Sequence, residues 1–279
     1  MSAGGAVAPI APIAPVEEVR EAVLGWYRAV ARDLPWRRTT DPYAILVSEV
    51  MLQQTQVARV VPRYDAWLER WPDEAALAAA PIADVLSAWV GLGYNRRALR
   101  LREACAVVAV SGWPRTAAGL RELPGIGPYT AAAVASFAFG EQVAAVDTNV
   151  ARIAARLGFT PEELLPPGGA AEWNQAAMEL GAMVCGARRA LCGGCPAAAV
   201  CPSAGRVEIP ARRPAGARRA VQRFEDSDRY ARGRVVAALA AGEALPDGLG
   251  EERLERALAG LERDGLIVRG PGGAVRFPD

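Results

Sequence analysis

The chain has 279 residues, 52% of them hydrophobic, enough to bury a core in one large or two small domains plus an appendage. It contains no histidine, and all 32 basic residues are arginine, which excludes a histidine triad, a histidine-bound metal and a lysine Schiff base. The net charge of +1 hides an asymmetry, because residues 180–234 hold 11 Arg against 4 acids while the flanking regions are slightly acidic. Such a basic block is either a footprint for a polyanion or a solvated arginine-rich linker.

The opening MSAGGAVAPIAPIAPVEE is broken by Pro9, Pro12 and Pro15, so residues 1–15 are expected to form a disordered tail rather than a signal peptide. VEEVREAVLGWYRAVARDLPW then reads as one amphipathic helix ended by Pro35. Helical repeats continue at 42–52, 56–70, 74–79, 82–90, 95–111, 116–121, 129–138, 148–157 and 172–184. Residues 206–227 read as a basic linker. The end of the chain changes character, with helices over 229–241 and 251–264 and two short strands around the turn in GLIVRGPGGAVRF. Helices followed by a β-hairpin suggest a small winged-helix-like module over 228–279. No stretch reads as a membrane span, and five cysteines with one left over, Cys105, suit a reducing cytoplasm better than a disulfide framework.

Cys185, Cys192, Cys195 and Cys201 follow the spacing Cys-x6-Cys-x2-Cys-x5-Cys. One short loop can wrap such thiolates around a [4Fe–4S] cluster. Zinc is the rival, although structural zinc commonly uses two short-spaced pairs, and four unligated buried thiols are the plain alternative. Arg188 and Arg189 lie within this loop and could meet phosphates.

LPGIGPYTAAAV at 123–134 places Gly125 and Gly127 around one apolar residue before a helix. A hairpin of this kind can seat a phosphate on backbone N–H groups, or can be merely a turn. Asp147 in VDTNVARIAARLGF precedes another helix and is most simply its N-cap. In SEVMLQQTQV, Glu49 lies among Leu46, Val47, Val50 and Met51. A carboxyl bordering an apolar interior has its pKa raised and can serve as a general acid, unless Glu49 sits on the helix's polar edge. Gln53, Gln54, Thr55 and Gln56 could address base edges. GLGYN at 91–95 puts Leu92 and Tyr94 at a glycine-flexed turn, where Tyr94 either wedges into a base stack or packs in the core.

The order of these motifs resembles the adenine DNA glycosylases of the helix-hairpin-helix superfamily, relatives of endonuclease III, from about residue 17 to residue 202. The resemblance implies an all-α glycosylase fold. In it a six-helix barrel (42–147) and an iron–sulfur cluster domain (16–41 and 148–205) flank a DNA cleft. It implies Glu49 as general acid and Asp147 as the catalytic carboxylate. Asn149 would position water, and Tyr129 stands where lyases of the superfamily carry a Schiff-base lysine. Arg32, Trp36, Gln175 and Glu179 would line the adenine pocket, with Gln54 and Tyr94 probing the opposite base. The partner implied is double-stranded DNA with A:8-oxoG or A:G mispairs, bound by a monomer in a bacterial cytoplasm, at the nucleoid. Many members carry VDGN where this chain has VDTN. Many also carry a large β-rich C-terminal domain, whereas short tails occur in forms like those of high-GC actinobacteria. A thymine or uracil mismatch glycosylase and a non-enzymatic iron–sulfur DNA-binding protein remain the alternatives.

Overall fold

The computed structural model describes residues 11–207 and 223–278. Most of the expected tail and of the expected linker lies outside these residues. Contacts divide the chain into two units. Among the described residues, one covers 11–42, 114–122 and 127–207, and the other 43–113, 123–126 and 223–278.

The first unit is built on α1 (Val16–Val30), α7 (Ala117–Leu120), α8 (Pro128–Phe139), α9 (Thr148–Leu157) and α10 (Ala170–Met183). Val19, Val23 and Tyr27 of α1 meet Val150, Ile153 and Leu157 of α9 and Trp173, Ala177 and Leu180 of α10 in one core. These apolar positions recur at three- and four-residue intervals, the condition for a helix to bury one stripe. Arg20 ties α1 down by donating to the carbonyls of Glu163, Leu164 and Leu165. Here α1 stops at Val30, not at Pro35 as its sequence suggests. Ala31 leaves the helical region (φ −52°, ψ 128°), and the chain turns so that the Arg32 backbone and guanidinium reach Glu179. Pro35 opens a 3-10 turn, Pro35–Arg37, that buries Trp36.

The second unit contains α2 (Pro42–Leu52), α3 (Val57–Arg70), α4 (Glu74–Ala79), α5 (Ile82–Trp89) and α6 (Arg96–Ser111). Every residue of α2 from Tyr43 to Met51 is buried, so this helix is packed on all sides. Trp67 stands edge-on to Trp71 and Trp89, with ring centroids 4.6 and 5.4 Å away. The same unit holds α11 (Asp228–Ala241), α12 (Glu251–Arg263) and the antiparallel strands β1 (Val268–Arg269) and β2 (Val275–Arg276). The Ser227 hydroxyl caps α11 by accepting from the Tyr230 N–H, and α11 packs on both α12 and α5. The helices and hairpin expected at the chain's end are therefore present, and the fold is all-α apart from this hairpin among the described residues. No described helix is long and apolar enough to cross a membrane.

Candidate active site and cysteine loop

In the first unit Asp147 is an N-cap, as its position before a helix suggests, and it is also the head of a longer chain of contacts. One carboxylate oxygen accepts from the backbone N–H groups of Asn149 (2.8 Å) and Val150 (2.7 Å). The other accepts from the Asn149 amide nitrogen at 2.7 Å. The Asn149 amide oxygen accepts from Arg152 at 2.9 Å, and the same guanidinium donates to the Cys185 carbonyl at 2.8 Å. Arg156, one turn on, donates to Cys185 Sγ and to the Gly186 carbonyl, each at 3.1 Å. Helix α9 thus carries a half-buried carboxylate at its start, where the helix dipole favours negative charge, and grips the cysteine loop along its length.

Four cysteines of that loop are free thiols, and Cys185, Cys195 and Cys201 pack against the core shared by α1, α9 and α10. Burial is the leading cause that raises the Cys195 and Cys201 thiols above their usual range, and the charges of Cys185 and Cys192 add to it. The donor chemistry suits a thiolate-held cluster. The loop is not drawn tightly around a point, since no group of three or more such side chains that could hold a metal is formed among the described residues. A bridge between Cys185 and Ala190 folds residues 185–190 back on themselves, leaving Arg188 and Arg189 exposed. Gly186 is needed there, because a Cβ would lie 2.8 Å from the Arg189 carbonyl. Cys105 stands apart, its thiol pushed up to about 12 by burial.

Also in this unit, Glu179 is fully buried and binds two arginines. Arg32 donates from Nε (2.6 Å) and Nη2 (2.7 Å), and Arg37 from Nη2 (2.9 Å). Burial is the strongest single influence and opposes ionisation, but the hydrogen bonds and charges of Arg32 and Arg37 together outweigh it and bring Glu179 down to about 2. Gln175, one turn before it, accepts from the Tyr27 hydroxyl at 2.7 Å, and Trp36 is buried alongside Arg37 in sequence. The Tyr129 hydroxyl lies 3.0 Å from Met178 Sδ.

In the second unit Glu49 is 6% exposed and, with Ser48, is one of two buried polar residues of α2. The end of α2 is held by Arg97, a residue that the sequence pattern did not mark. Its Nη1 donates to the carbonyls of Val50 (2.6 Å) and Gln53 (2.8 Å), and its Nη2 to those of Leu92 (3.1 Å) and Gly93 (2.9 Å). Burial lowers its pKa to about 10. Gln54 (φ 55°) and Tyr94 (φ 49°) are the two non-glycine residues with left-handed backbone among the described residues. Each directly follows a carbonyl that Arg97 grips. Such conformations persist where surrounding contacts over-determine them, and they cluster at functional sites. Thr55 bridges the same two turns through the Gln53 and Leu92 carbonyls. Leu92 itself is buried, whereas Tyr94 is 42% exposed.

Gly125 has φ 77°, and a Cβ there would lie 2.6 Å from Arg100 Cβ, so only glycine allows this approach of hairpin to α6. A hollow of about 180 Å³ is lined by Arg96, Arg97 and Arg100 together with Gln53 and Gly125. Gly127 then caps α8, with Pro128 at its first position.

Known proteins resemble this chain closely. Residues 47–169 match the HhH-GPD superfamily of base excision DNA repair proteins. An adenine DNA glycosylase of Mycolicibacterium smegmatis is 46% identical, the alignment covering 78% of each chain. One from Mycobacterium tuberculosis is 40% identical over 92% of each. The human adenine DNA glycosylase is 44% identical, but the match spans only 40% of its length. Among solved structures, a thermostable thymine-DNA glycosylase superposes with a TM-score of 0.64 at 29% identity, covering 69% of this chain and 97% of the other. An endonuclease III–DNA complex superposes at 0.59 and 23% identity, covering 70% and 99%, which speaks to the fold alone. With the buried glutamate, the helix-capping aspartate and the glycine hairpin in place, these likenesses mean that the chain belongs to the adenine DNA glycosylases of the HhH-GPD superfamily.

Proposed function

We propose that this protein hydrolytically releases adenine mispaired with 8-oxoguanine or guanine in double-stranded DNA, without cutting the strand. The observation that carries the reading is Glu49, the one carboxyl of helix α2, buried there beside Ser48 among apolar residues within SEVMLQQTQV. The target adenine leaves the stack before its glycosidic bond can be reached. As the C1′–N9 bond breaks, Glu49 delivers its proton to a ring nitrogen, N7, so that adenine departs neutral. The sugar becomes an oxocarbenium cation, which the Asp147 carboxylate stabilises until water adds at C1′ and passes its proton to the Glu49 carboxylate, restoring the acid. Asn149, whose amide is fixed between Asp147 and Arg152, orients that water. Arg32, Trp36, Gln175 and Glu179 line the adenine pocket, and Gln54 and Tyr94 address the opposite base.

Tyr129 occupies the position where a lyase would need an amine, so no Schiff base forms and strand cleavage does not follow. Cys185, Cys192, Cys195 and Cys201 would hold a [4Fe–4S] cluster. Such a cluster would supply a thiolate-bound brace for the loop that presents Arg188 and Arg189 to phosphates. The hairpin glycines and the arginine-lined hollow serve the same backbone. The protein acts as a monomer in the bacterial cytoplasm, at the nucleoid.

Single-turnover excision from duplexes bearing A:8-oxoG, A:G, T:G or U:G, with alkali added afterwards, tests this reading. Adenine release with breaks only after alkali is the expected result. Release of thymine or uracil would move the protein to the mismatch branch, and breaks before alkali would contradict the monofunctional chemistry.

A further inference from the structure

One residue of helix α11, Arg229, reaches Tyr94. Arg229 donates from Nη1 to the Tyr94 hydroxyl, and its guanidinium carbon lies 5.2 Å from the Tyr94 ring centroid. Arg97 approaches the same ring to 5.7 Å. Tyr94 is half-exposed on a left-handed backbone and follows Gly93, itself at φ 73°. An aromatic side chain on such a turn swings freely unless something outside the turn fixes it. Arg97 holds the backbone, and Arg229 holds the tip of the ring.

Arg229 is itself anchored. Helix α11 packs on α5, the element that leads into the Tyr94 turn. Asp264 at the end of α12 pairs with Arg232 of α11 and lies 3.9 Å from Arg96, beside the same turn. The Arg229 guanidinium also lies 5.2 Å from the ring of Phe224, which stands edge-on to Tyr230. Cation–π contacts at exposed sites are weak, so this arrangement does little for stability. Its consequence is geometric.

Resting on the reading of Tyr94 as a probe of the opposite base, we propose that Arg229 is a positioning residue for opposite-base specificity. The short C-terminal module sets the ring of Tyr94 through this one arginine, and so takes part in choosing the mispair without contacting the excised adenine.

The test is single-turnover adenine release from A:8-oxoG, A:G and A:C duplexes by wild type, Arg229→Ala, Arg229→Lys, Tyr94→Ala and the double variant, with circular dichroism confirming the fold of each. We expect Arg229→Ala to shrink the preference for 8-oxoguanine over cytosine about fivefold or more, and Arg229→Lys, which keeps both the charge and a donor, to restore most of it. In the Tyr94→Ala background, Arg229→Ala should change the preference less than twofold. An unchanged preference in active Arg229→Ala overturns the proposal. So does an equal loss in both backgrounds, since Arg229 would then act on DNA directly. A wild type that releases no adenine would instead refute the glycosylase reading, and the role of Arg229 with it.

Discussion

Replacing Glu179 by Gln removes one charge from a fully buried site and leaves Arg32 and Arg37 facing a neutral amide. The amide offers one acceptor oxygen where the carboxylate offered two, and its NH2 group opposes a guanidinium. The carboxyl's fall from 4.5 to about 2 corresponds, at about 1.4 kcal/mol per pKa unit, to about 3 kcal/mol of folding free energy at neutral pH. The sign follows from the depressed folded pKa. This stability is fully present above 4.5 and is lost as pH falls towards 2, with about half gone near pH 3. Urea unfolding of wild type and Glu179→Gln, followed by tryptophan fluorescence from pH 7 down to pH 3, should show a gap of about 3 kcal/mol that narrows only below about pH 4.5. A gap that stayed constant across the range, or that widened in acid, would refute the ion-pair account.

Three further changes bear on the rest of the site. Arg152→Gln breaks the link between Asn149 and the Cys185 carbonyl; we expect base release to slow about tenfold or more while DNA affinity stays near wild type, read by excision and by filter binding. Gly125→Ala meets both a positive φ and the Arg100 side chain, so it should lower DNA affinity and cost about 1–2 kcal/mol of stability, read by titration and by urea melts. Arg97→Met leaves the carbonyls of Val50, Gln53, Leu92 and Gly93 without their donor, which should cost about 3 kcal/mol or more and slow excision more than Arg229→Ala does.

Some of this was legible in the residues themselves. A carboxylate inside the run from Leu46 to Met51 stands out against its neighbours, and the glycine pair at 125 and 127 announces a turn before a helix. The four-cysteine spacing picks out the loop that folds back between Cys185 and Ala190 and packs on the core of α1, α9 and α10. Helix positions followed from apolar spacing, because buried stripes repeat at fixed intervals. Apart from Arg32, the arginines that hold these groups were not legible. Arg37 meets Glu179 across 142 residues, Arg97 meets Val50 across 47, and Arg229 meets Tyr94 across 135. With 32 arginines in the chain, no local pattern separates a buried guanidinium from a solvated one. The early end of α1 was hidden for the same reason. Pro35 was the visible breaker, but the distant Glu179 draws the chain out of the helix at Ala31.

The most direct test of the chemistry is single-turnover adenine release from an A:8-oxoG duplex by Glu49→Gln and Asp147→Asn, beside DNA-binding titrations of the same proteins. We expect each variant to lose about 10²-fold or more in release, the range for a general acid or a charge-stabilising group, while affinity stays within about threefold. Release at the wild-type rate by either variant would remove that residue from the mechanism.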